Sequence, residues 1–398
     1  MFFAPPELRP AESIKVRTSG VFRGLPRQLD EHSNPKMEML TVKRRSLVTK
    51  LLLVVWIGFT ALATADDNAS HLGRDGSTPS YFNTYPPAAF PPLNPKAKAA
   101  LEATAGPSAL DKTPIAEVRH GFSVWRSQQP QRQEPLAGVD NHTVPGPHGA
   151  IPVRIYTPEG VGPFPLLVYF HGGGWTVGDL DTHDEICRVL CRRLGAAVMA
   201  VHYRLSPENK FPVPLDDCYA ALKWADAHAA ELKADRTRLA VAGDSAGGNL
   251  AAAVALYARD HGGPALSHQV LIYPVTNCEF DTASYWENAV GYGLTRDAMI
   301  WFWGNYLANP ADGANPYASP LRAKDLKGLP RALIITAQYD PLRDEAEAYG
   351  ARLHEAGVPV RVTRYSGMTH GFVLSLGQYE QADHAIEQMA ESLCSDWW

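Results

Sequence analysis

Three side chains of this sequence have the types and the order that nucleophilic acyl transfer requires. Ser245 lies in the pattern G-x-S-x-G, between Gly243 and Gly247. A serine hydroxyl is a weak nucleophile that needs a base, and the base needs an acid to orient it. Asp340 and His370 follow Ser245 in the order that accompanies this serine motif. We predict Ser245 as the nucleophile, His370 as the base and Asp340 as the orienting acid.

The segments around Ser245 predict a sharp turn between a strand and a helix. Residues 238–242 are mostly apolar and residues 249–257 are rich in alanine and leucine. Flanking glycines give such a turn the space that a Cβ atom would fill. An ordinary glycine-rich turn with a solvated serine is the alternative. For the acid, the alternative is Asp344, which we interpret instead as a first-turn residue of the next helix. For His370, it is a loop histidine bonded to the backbone.

The segment Tyr-Phe-His-Gly-Gly-Gly-Trp at residues 169–175 predicts an oxyanion hole. A strand that ends in His-Gly-Gly-Gly leaves backbone N–H groups uncovered by side chains. Each such donor stabilises the developing oxyanion by about 3–4 kcal/mol. We predict Gly172 and Gly173 as donors, together with Ala246, the residue after the nucleophile. A flexible glycine loop is the alternative.

Together these segments resemble the hormone-sensitive-lipase-like family of α/β-hydrolases, in the bacterial carboxylesterase branch with the motif G-D-S-A-G. The resemblance covers about residues 145–395 and rests on segments at 171–175, 202–208, 243–248, 340–344 and 370–372. Ser206 departs from the family pattern, which usually has alanine there. The resemblance implies the same nucleophile, base, acid and oxyanion donors. We also expect four aromatic residues to bind the substrate, namely Trp175, Tyr203, Trp286 and Phe372.

The resemblance further implies a serine carboxylic-ester hydrolase that acts on short- to medium-chain acyl esters through an acyl-enzyme intermediate, with no metal and no organic cofactor. A deacetylase, an amidase or a lipase is the alternative, because the same triad serves all of these activities. A non-catalytic small-ligand receptor, like the plant gibberellin receptors that resemble this family, is the alternative of another class. Such receptors lose the triad histidine, whereas His370 is present.

Strands and helices alternate along the chain, which predicts an α/β fold with a mostly parallel central sheet and helices on both faces. Strands are predicted at 153–156, 165–170, 197–202, 238–242, 269–273, 332–336 and 360–364. Helices are predicted at 95–103, 113–119, 184–194, 215–227, 249–257, 345–356 and 382–393. Residues 276–320 lack a clear strand and hold an aromatic-rich helix that Thr295 can cap. With about residues 80–130, they are predicted to form a helical cap.

The N-terminal third predicts a processed leader. A basic cluster at 43–50, an apolar run at 51–63 and the A-x-A site at 63–65 describe a secretory signal peptide. We predict a signal peptide at 37–65, cleaved after Ala65 to give a periplasmic or secreted protein. An uncleaved leader that anchors the chain in the membrane is the alternative. Translation from Met37 or Met39 would make residues 1–36 a mis-annotated extension. Residues 66–140 are predicted as a flexible mature N-terminus with cap helices, and residues 141–398 as the catalytic domain.

Composition limits the partners. The net charge of −5 argues against a nucleic-acid partner, which requires a basic face. A small-molecule ester is the expected partner, no stable membrane partner is expected after cleavage, and a homodimer is left open. Five cysteines do not form a disulfide framework, although one disulfide is left open. Cys187 and Cys191 have helical spacing but no matching histidines, so we interpret them as buried thiols rather than metal ligands.

Overall fold

The computed structural model describes residues 78–86, 91–103 and 110–398, all within the compact unit His71–Trp398. The upstream extension, the signal peptide, the cleavage site at Ala65 and residues 66–77 lie outside the described residues. Within the described ranges, no helix combines the length and the apolar character needed to cross a bilayer.

A nine-stranded sheet forms the centre of the described fold. Numbered along the chain, its strands are β1 Phe82–Tyr85, β2 Gly138–Val144, β3 Ile151–Thr157, β4 Phe164–Phe170, β5 Ala197–Val201, β6 Ala234–Asp244, β7 His268–Ile272, β8 Arg331–Tyr339 and β9 Val360–Thr369. They lie in the order β1-β9-β8-β7-β6-β4-β5-β3-β2. Neighbouring strands are parallel except for the pairs β2/β3 and β3/β5, which are antiparallel. This confirms the predicted mostly parallel sheet.

Helices cover both faces of this sheet. In β4, Leu166, Val168 and Phe170 point into one core, whereas Leu167 and Tyr169 point into the other, as the two-residue period of a strand requires. The helices Val213–Ala227, Ala246–Asp260 and Arg343–Glu355 pack on the first face, and Asp184–Leu194 and Glu380–Trp397 pack on the second. The helices are α1 Pro95–Ala103, α2 Ile115–Ser127, α3 Asp184–Leu194, α4 Val213–Ala227, α5 Ala246–Asp260, α6 Ala283–Glu287, α7 Arg296–Tyr306, α8 Arg343–Glu355 and α9 Glu380–Trp397.

The segment between β7 and β8 forms the predicted helical insertion. It contains α6, α7 and the short 3₁₀ turns Pro310–Ala314 and Pro320–Arg322, and it contains no strand. Thr295 caps α7 as predicted, because its hydroxyl accepts a hydrogen bond from the N–H of Ala298 at 3.0 Å. Such a cap satisfies one of the unpaired N–H groups of the first turn.

The structure corrects several local predictions. Residues 82–85 are expected in a flexible N-terminus, but they form the edge strand β1, because they pair in parallel with β9. The helix predicted to start after Thr113 begins at Ile115, with no side-chain cap. Strand β9 extends to Thr369, so His370 follows it directly. Cys187 and Cys191 are buried free thiols, as interpreted, and no cysteine forms a disulfide among residues 110–398, which include all five.

Candidate active site

A strained turn presents Ser245 at the junction of β6 and α5. Its backbone has φ 56° and ψ −121°, a region that costs a residue other than glycine about 1–3 kcal/mol. The surrounding backbone fixes this conformation, because the N–H of Ser245 donates to the carbonyl of Ile272 at 2.8 Å. Gly247 must lack a side chain, since a Cβ there would lie 2.0 Å from the carbonyl oxygen of Phe170. The turn therefore places the hydroxyl at the carboxyl edge of the sheet.

Ser245, His370 and Asp340 form one chain of hydrogen bonds. Nε2 of His370 lies 2.9 Å from Oγ of Ser245, and Nδ1 lies 2.7 Å from Oδ2 of Asp340. Asp340 is 1% exposed, and its Oδ1 accepts a hydrogen bond from the N–H of Leu342 at 2.9 Å. Each side chain follows a different strand, so the fold brings together residues that are far apart in sequence.

Asp344, the alternative acid, makes other contacts. Its Oδ2 accepts a hydrogen bond from the N–H of Ser284 at 2.7 Å, and its Oδ1 accepts one from Nε of Arg343 at 2.8 Å. It lies in the first turn of α8, as the sequence interpretation expected. Its carboxylate thus holds α6 to α8 rather than orienting His370.

The N–H of Gly172 is already bound by a buried side chain, which contradicts its prediction as an oxyanion donor. Its N–H donates to Oδ1 of Asp244 at 3.0 Å and lies 3.3 Å from Nε2 of His183. An N–H group that a buried carboxylate already binds is not available to a substrate oxygen. The following glycines, Gly173 and Gly174, line the cavity with Ser245.

The loop after β4 is held in one conformation from both sides. The carbonyl of Gly173 accepts hydrogen bonds from the N–H groups of Thr176 and Val177 at 3.0 and 2.9 Å. Gly174 has φ +57°, and a Cβ there would lie 2.1 Å from the ring of Phe302. Nε of Arg119, in α2, donates to the carbonyl of Thr176 at 2.8 Å. The cap therefore packs directly on the glycine loop.

His171, which begins this loop, is buried and neutral. Burial, together with the nearby His183 and His202, lowers the pKa of His171 to about 3. Its Nδ1 therefore carries a proton that it donates to the carbonyl of Gly172 at 2.8 Å. The imidazole stacks on the ring of Tyr203 with 4.3 Å between ring centroids. This histidine supports the loop without contacting the nucleophile.

A cavity of about 370 Å³ opens onto the Ser245 hydroxyl. Its volume lies near the lower end of the usual range of small-molecule sites, about 300–1,000 Å³. Its apolar wall comes from both halves of the cap and from the loop after His370: Leu110, Phe122, Trp125, Leu294, Met299, Phe302 and Leu374. The site therefore suits a small, mainly apolar molecule with one reactive polar group.

The structure places none of the four aromatic residues predicted to bind substrate on the wall of this cavity. Trp175 is fully buried and stacks on Tyr306 behind the glycine loop, with ring centroids 4.1 Å apart. Tyr203 is also fully buried, and its hydroxyl donates to the carbonyl of His171 at 2.7 Å. Both prefer these positions because their large rings fill the core and stiffen the loop.

The other two also lie elsewhere. Phe372 is buried and packs against Tyr273 and Tyr365. Trp286 is 60% exposed on the cap surface, where the Arg296 guanidinium lies 4.4 Å from its ring centroid. Sequence position near a motif did not reveal which way these rings point.

Sequence reasoning missed the residues that do form the wall. Ala298, Met299 and Phe302 have the spacing of one face of α7, and Phe122 and Trp125 have the same relation in α2. That helical spacing was the available signal. Tyr273, directly after β7, also lines the cavity, and its ring centroid lies 4.6 Å from that of His370. Burial raises the pKa of its hydroxyl well above the ordinary value, so this group stays neutral.

The described part of the chain contains no set of side chains suited to binding a metal ion. There, no three or more His, Cys, Asp or Glu side chains gather in a way that could hold a metal ion. The polar groups that follow Ser245 are the imidazole of His370 and, beyond it, the carboxylate of Asp340.

Comparison with known proteins agrees with this geometry. The profile of the α/β-hydrolase fold matches residues 167–374. The chain is similar to the carboxylic ester hydrolase LipN of Mycobacterium tuberculosis (strain ATCC 25618 / H37Rv), with 47% identity over 241 residues, which are 59% of this chain and 64% of that relative. It is also similar to the carboxylesterase NlhH of Mycobacterium tuberculosis (strain CDC 1551 / Oshkosh), with 40% identity over 297 residues, 73% of this chain and 92% of NlhH.

Solved structures give the same result. The hyperthermophilic esterase of the archaeon Pyrobaculum calidifontis superposes with a TM-score of 0.72 and 41% identity, covering 77% of this chain and 99% of that one. The chain therefore belongs to the α/β-hydrolase fold family and, within it, to the hormone-sensitive-lipase-like carboxylesterases, which makes it a carboxylic ester hydrolase.

Proposed function

We propose that the protein cleaves esters through an acyl-enzyme formed on Ser245. Nε2 of His370 takes the proton of the serine hydroxyl while Oγ attacks the ester carbonyl carbon. The tetrahedral intermediate collapses as the C–O bond to the alcohol breaks, and His370 gives its proton to the leaving oxygen. Water, deprotonated by His370, then attacks the acyl-enzyme and releases the carboxylic acid and free Ser245. Asp340 keeps the proton of the neutral imidazole on Nδ1.

We further propose that the oxyanion is bound by Gly173, Gly174 and Ala246. The two glycines belong to the part of the loop that lines the cavity beside Ser245. Ala246 is the first residue of α5, where the N–H has no partner within the helix and lies at the positive end of the helix dipole. This set replaces Gly172 by Gly174, because Asp244 already binds the amide of Gly172.

The observation that carries the proposal is the 2.9 Å contact between Nε2 of His370 and Oγ of Ser245 at the base of a capped apolar cavity. A receptor that only binds ligand needs the cavity but has no use for this contact. The modest cavity supports short- to medium-chain acyl groups as the preferred substrates.

A series of p-nitrophenyl esters from acetyl to palmitoyl, measured with wild type and with Ser245→Ala, tests the proposal. We expect turnover that is highest for the shorter chains and a loss of about 10⁴-fold or more in kcat for Ser245→Ala. Matching p-nitroanilides test the amidase alternative. Full activity of Ser245→Ala, or no turnover of any ester by the folded wild type, contradicts the mechanism, and a maximum at palmitoyl contradicts the chain-length proposal.

A further inference from the structure

A buried carboxylate next to the nucleophile binds the loop after β4. Asp244 is the last residue of β6, and its side chain is 3% exposed. Its Oδ1 accepts hydrogen bonds from the N–H of Gly172 at 3.0 Å and from the hydroxyl of Tyr169 at 2.8 Å. The proposed mechanism gives this carboxylate no part, yet it is the side chain that links Ser245's turn to the glycine loop.

The rest of the carboxylate is also paired. Oδ2 of Asp244 lies 3.4 Å from Nε2 of His183, whose Nδ1 lies 2.9 Å from the hydroxyl of Thr182. Burial acts to raise the pKa of Asp244, but the facing His183 and the hydrogen bonds outweigh it and hold the pKa below the usual value. The group is therefore a charged acceptor, and charge-assisted hydrogen bonds are about twice as strong as neutral ones.

The fit between Asp244 and Gly172 leaves no spare space. A Cβ on Gly172 would lie 2.3 Å from Oδ2 of Asp244 and 2.9 Å from its backbone carbonyl oxygen. No left-handed φ is required at Gly172, unlike at the next two glycines. The absence of a side chain at Gly172 thus serves the close approach of the carboxylate and not the conformation of the loop.

We propose that Asp244 is a positioning residue that sets the spacing of the oxyanion donors. Gly172 directly precedes Gly173, and Asp244 lies two residues before Ala246, so this one hydrogen bond fixes donors from two separate strands against each other. A donor displaced by about 1 Å can cost about 100-fold in rate. The inference rests on the proposed oxyanion hole, and it assigns Asp244 no contact with substrate.

Three variants test it, with kcat, KM and the inhibition constant of an alkylboronic acid as readouts, because the boronate forms a tetrahedral adduct on serine that requires the oxyanion donors. Asp244→Ala removes the acceptor, and Gly172→Ala pushes the two groups apart while keeping the carboxylate. For both, we expect kcat and boronate affinity to fall together by about 10- to 100-fold, with KM within about threefold. Asp244→Asn keeps an acceptor oxygen for Gly172, so we expect its kcat within about tenfold of wild type.

Glu347→Gln is the matched control. Glu347 is another buried carboxylate, but it pairs with Arg364 of β9 at 2.6 Å and accepts a hydrogen bond from Thr336 of β8 at 2.8 Å. We expect this variant to lower the melting temperature and to leave kcat and boronate affinity unchanged. If Asp244→Ala does not fold, Gly172→Ala and Asp244→Asn decide the question.

Three results overturn the inference: full kcat in a folded Gly172→Ala, a boronate affinity that does not follow kcat, or Asp244→Asn as inactive as Asp244→Ala. An inactive wild type would instead contradict the proposed ester hydrolysis, and an active wild type with inactive Ser245→Ala separates the two failures.

Discussion

Replacing Asp340 with asparagine tests which ring nitrogen of His370 carries the proton. The N–H of Leu342 donates to Oδ1 of Asp340 at 2.9 Å. In Asp340→Asn this donor holds the amide oxygen at the Oδ1 position, so the NH₂ group faces Nδ1 of His370, 2.7 Å from Oδ2 in the wild type. Nδ1 must then accept a hydrogen bond, and the imidazole proton moves to Nε2. That nitrogen now donates to Ser245 and cannot take its proton.

The expected loss follows from this change of tautomer. In a serine hydrolase of another fold, the same substitution lowers kcat by about 10⁴-fold, which corresponds to about 5.4 kcal/mol at about 1.36 kcal/mol per factor of ten. We expect a similar loss with p-nitrophenyl butyrate, and little change in KM. The variant should remain folded because the isosteric amide keeps the bond to Leu342, which thermal unfolding checks.

Asp344→Asn is the control for this experiment. Its carboxylate contacts Ser284 and Arg343 rather than His370, so we expect kcat close to that of wild type. The reasoning is refuted if Asp340→Asn retains activity within about tenfold of wild type, or if Asp344→Asn shows the larger loss.

Two further predictions concern the cap. Phe302→Ala, which removes the ring next to Gly174, should raise kcat/KM for longer acyl chains relative to acetyl by about fourfold for each added methylene that enters the new space, because a buried methylene contributes about 0.8 kcal/mol. Trp286→Ala, on the exposed surface, should leave the chain-length profile unchanged. A changed profile in both variants, or in neither, contradicts the assignment of Phe302 to the cavity wall. Glu345 accepts hydrogen bonds from the N–H groups of Thr276 and Asn277 at 2.6 and 3.2 Å, and burial raises its pKa well above 4.5. The folded protein thus keeps a proton on Glu345 that the unfolded chain loses above pH 4.5, so the contribution of Glu345 to stability falls as pH rises. The melting temperature of Glu345→Gln relative to that of wild type should therefore be higher at pH 8 than at pH 5. The same difference in melting temperature at both pH values contradicts the raised pKa of Glu345.

The sequence by itself determined the fold class and singled out three side chains that the structure brings together. Short apolar strands that alternate with helices require a covered parallel sheet, and all such strands end at one edge where site residues gather. Ser245, Asp340 and His370 each follow one of these strands, so their order and local context were enough to single them out. The same local reasoning placed Thr295 at the start of α7, because a helix cap depends only on residues a few positions apart.

The edge strands show where local patterns fail. Residues 82–85 form β1 because their backbone pairs with the edge of β9. The four polar and aromatic residues of β1 carry no local pattern that predicts this pairing. The direction of a large aromatic ring is equally non-local. Trp175 and Tyr203 lie next to or within recognised motifs, yet Tyr306 and His171 are the contacts that turn them into the core.

Only the tertiary structure decided which of the loop glycines line the cavity beside Ser245. In sequence, the three consecutive glycines after His171 are equivalent. The carboxylate that binds the first of them comes from Asp244, 72 residues away, and the ring that packs on the third comes from the cap. An N–H group is available to substrate only where no other part of the protein covers it, and that depends on packing between strands and not on the residues beside it.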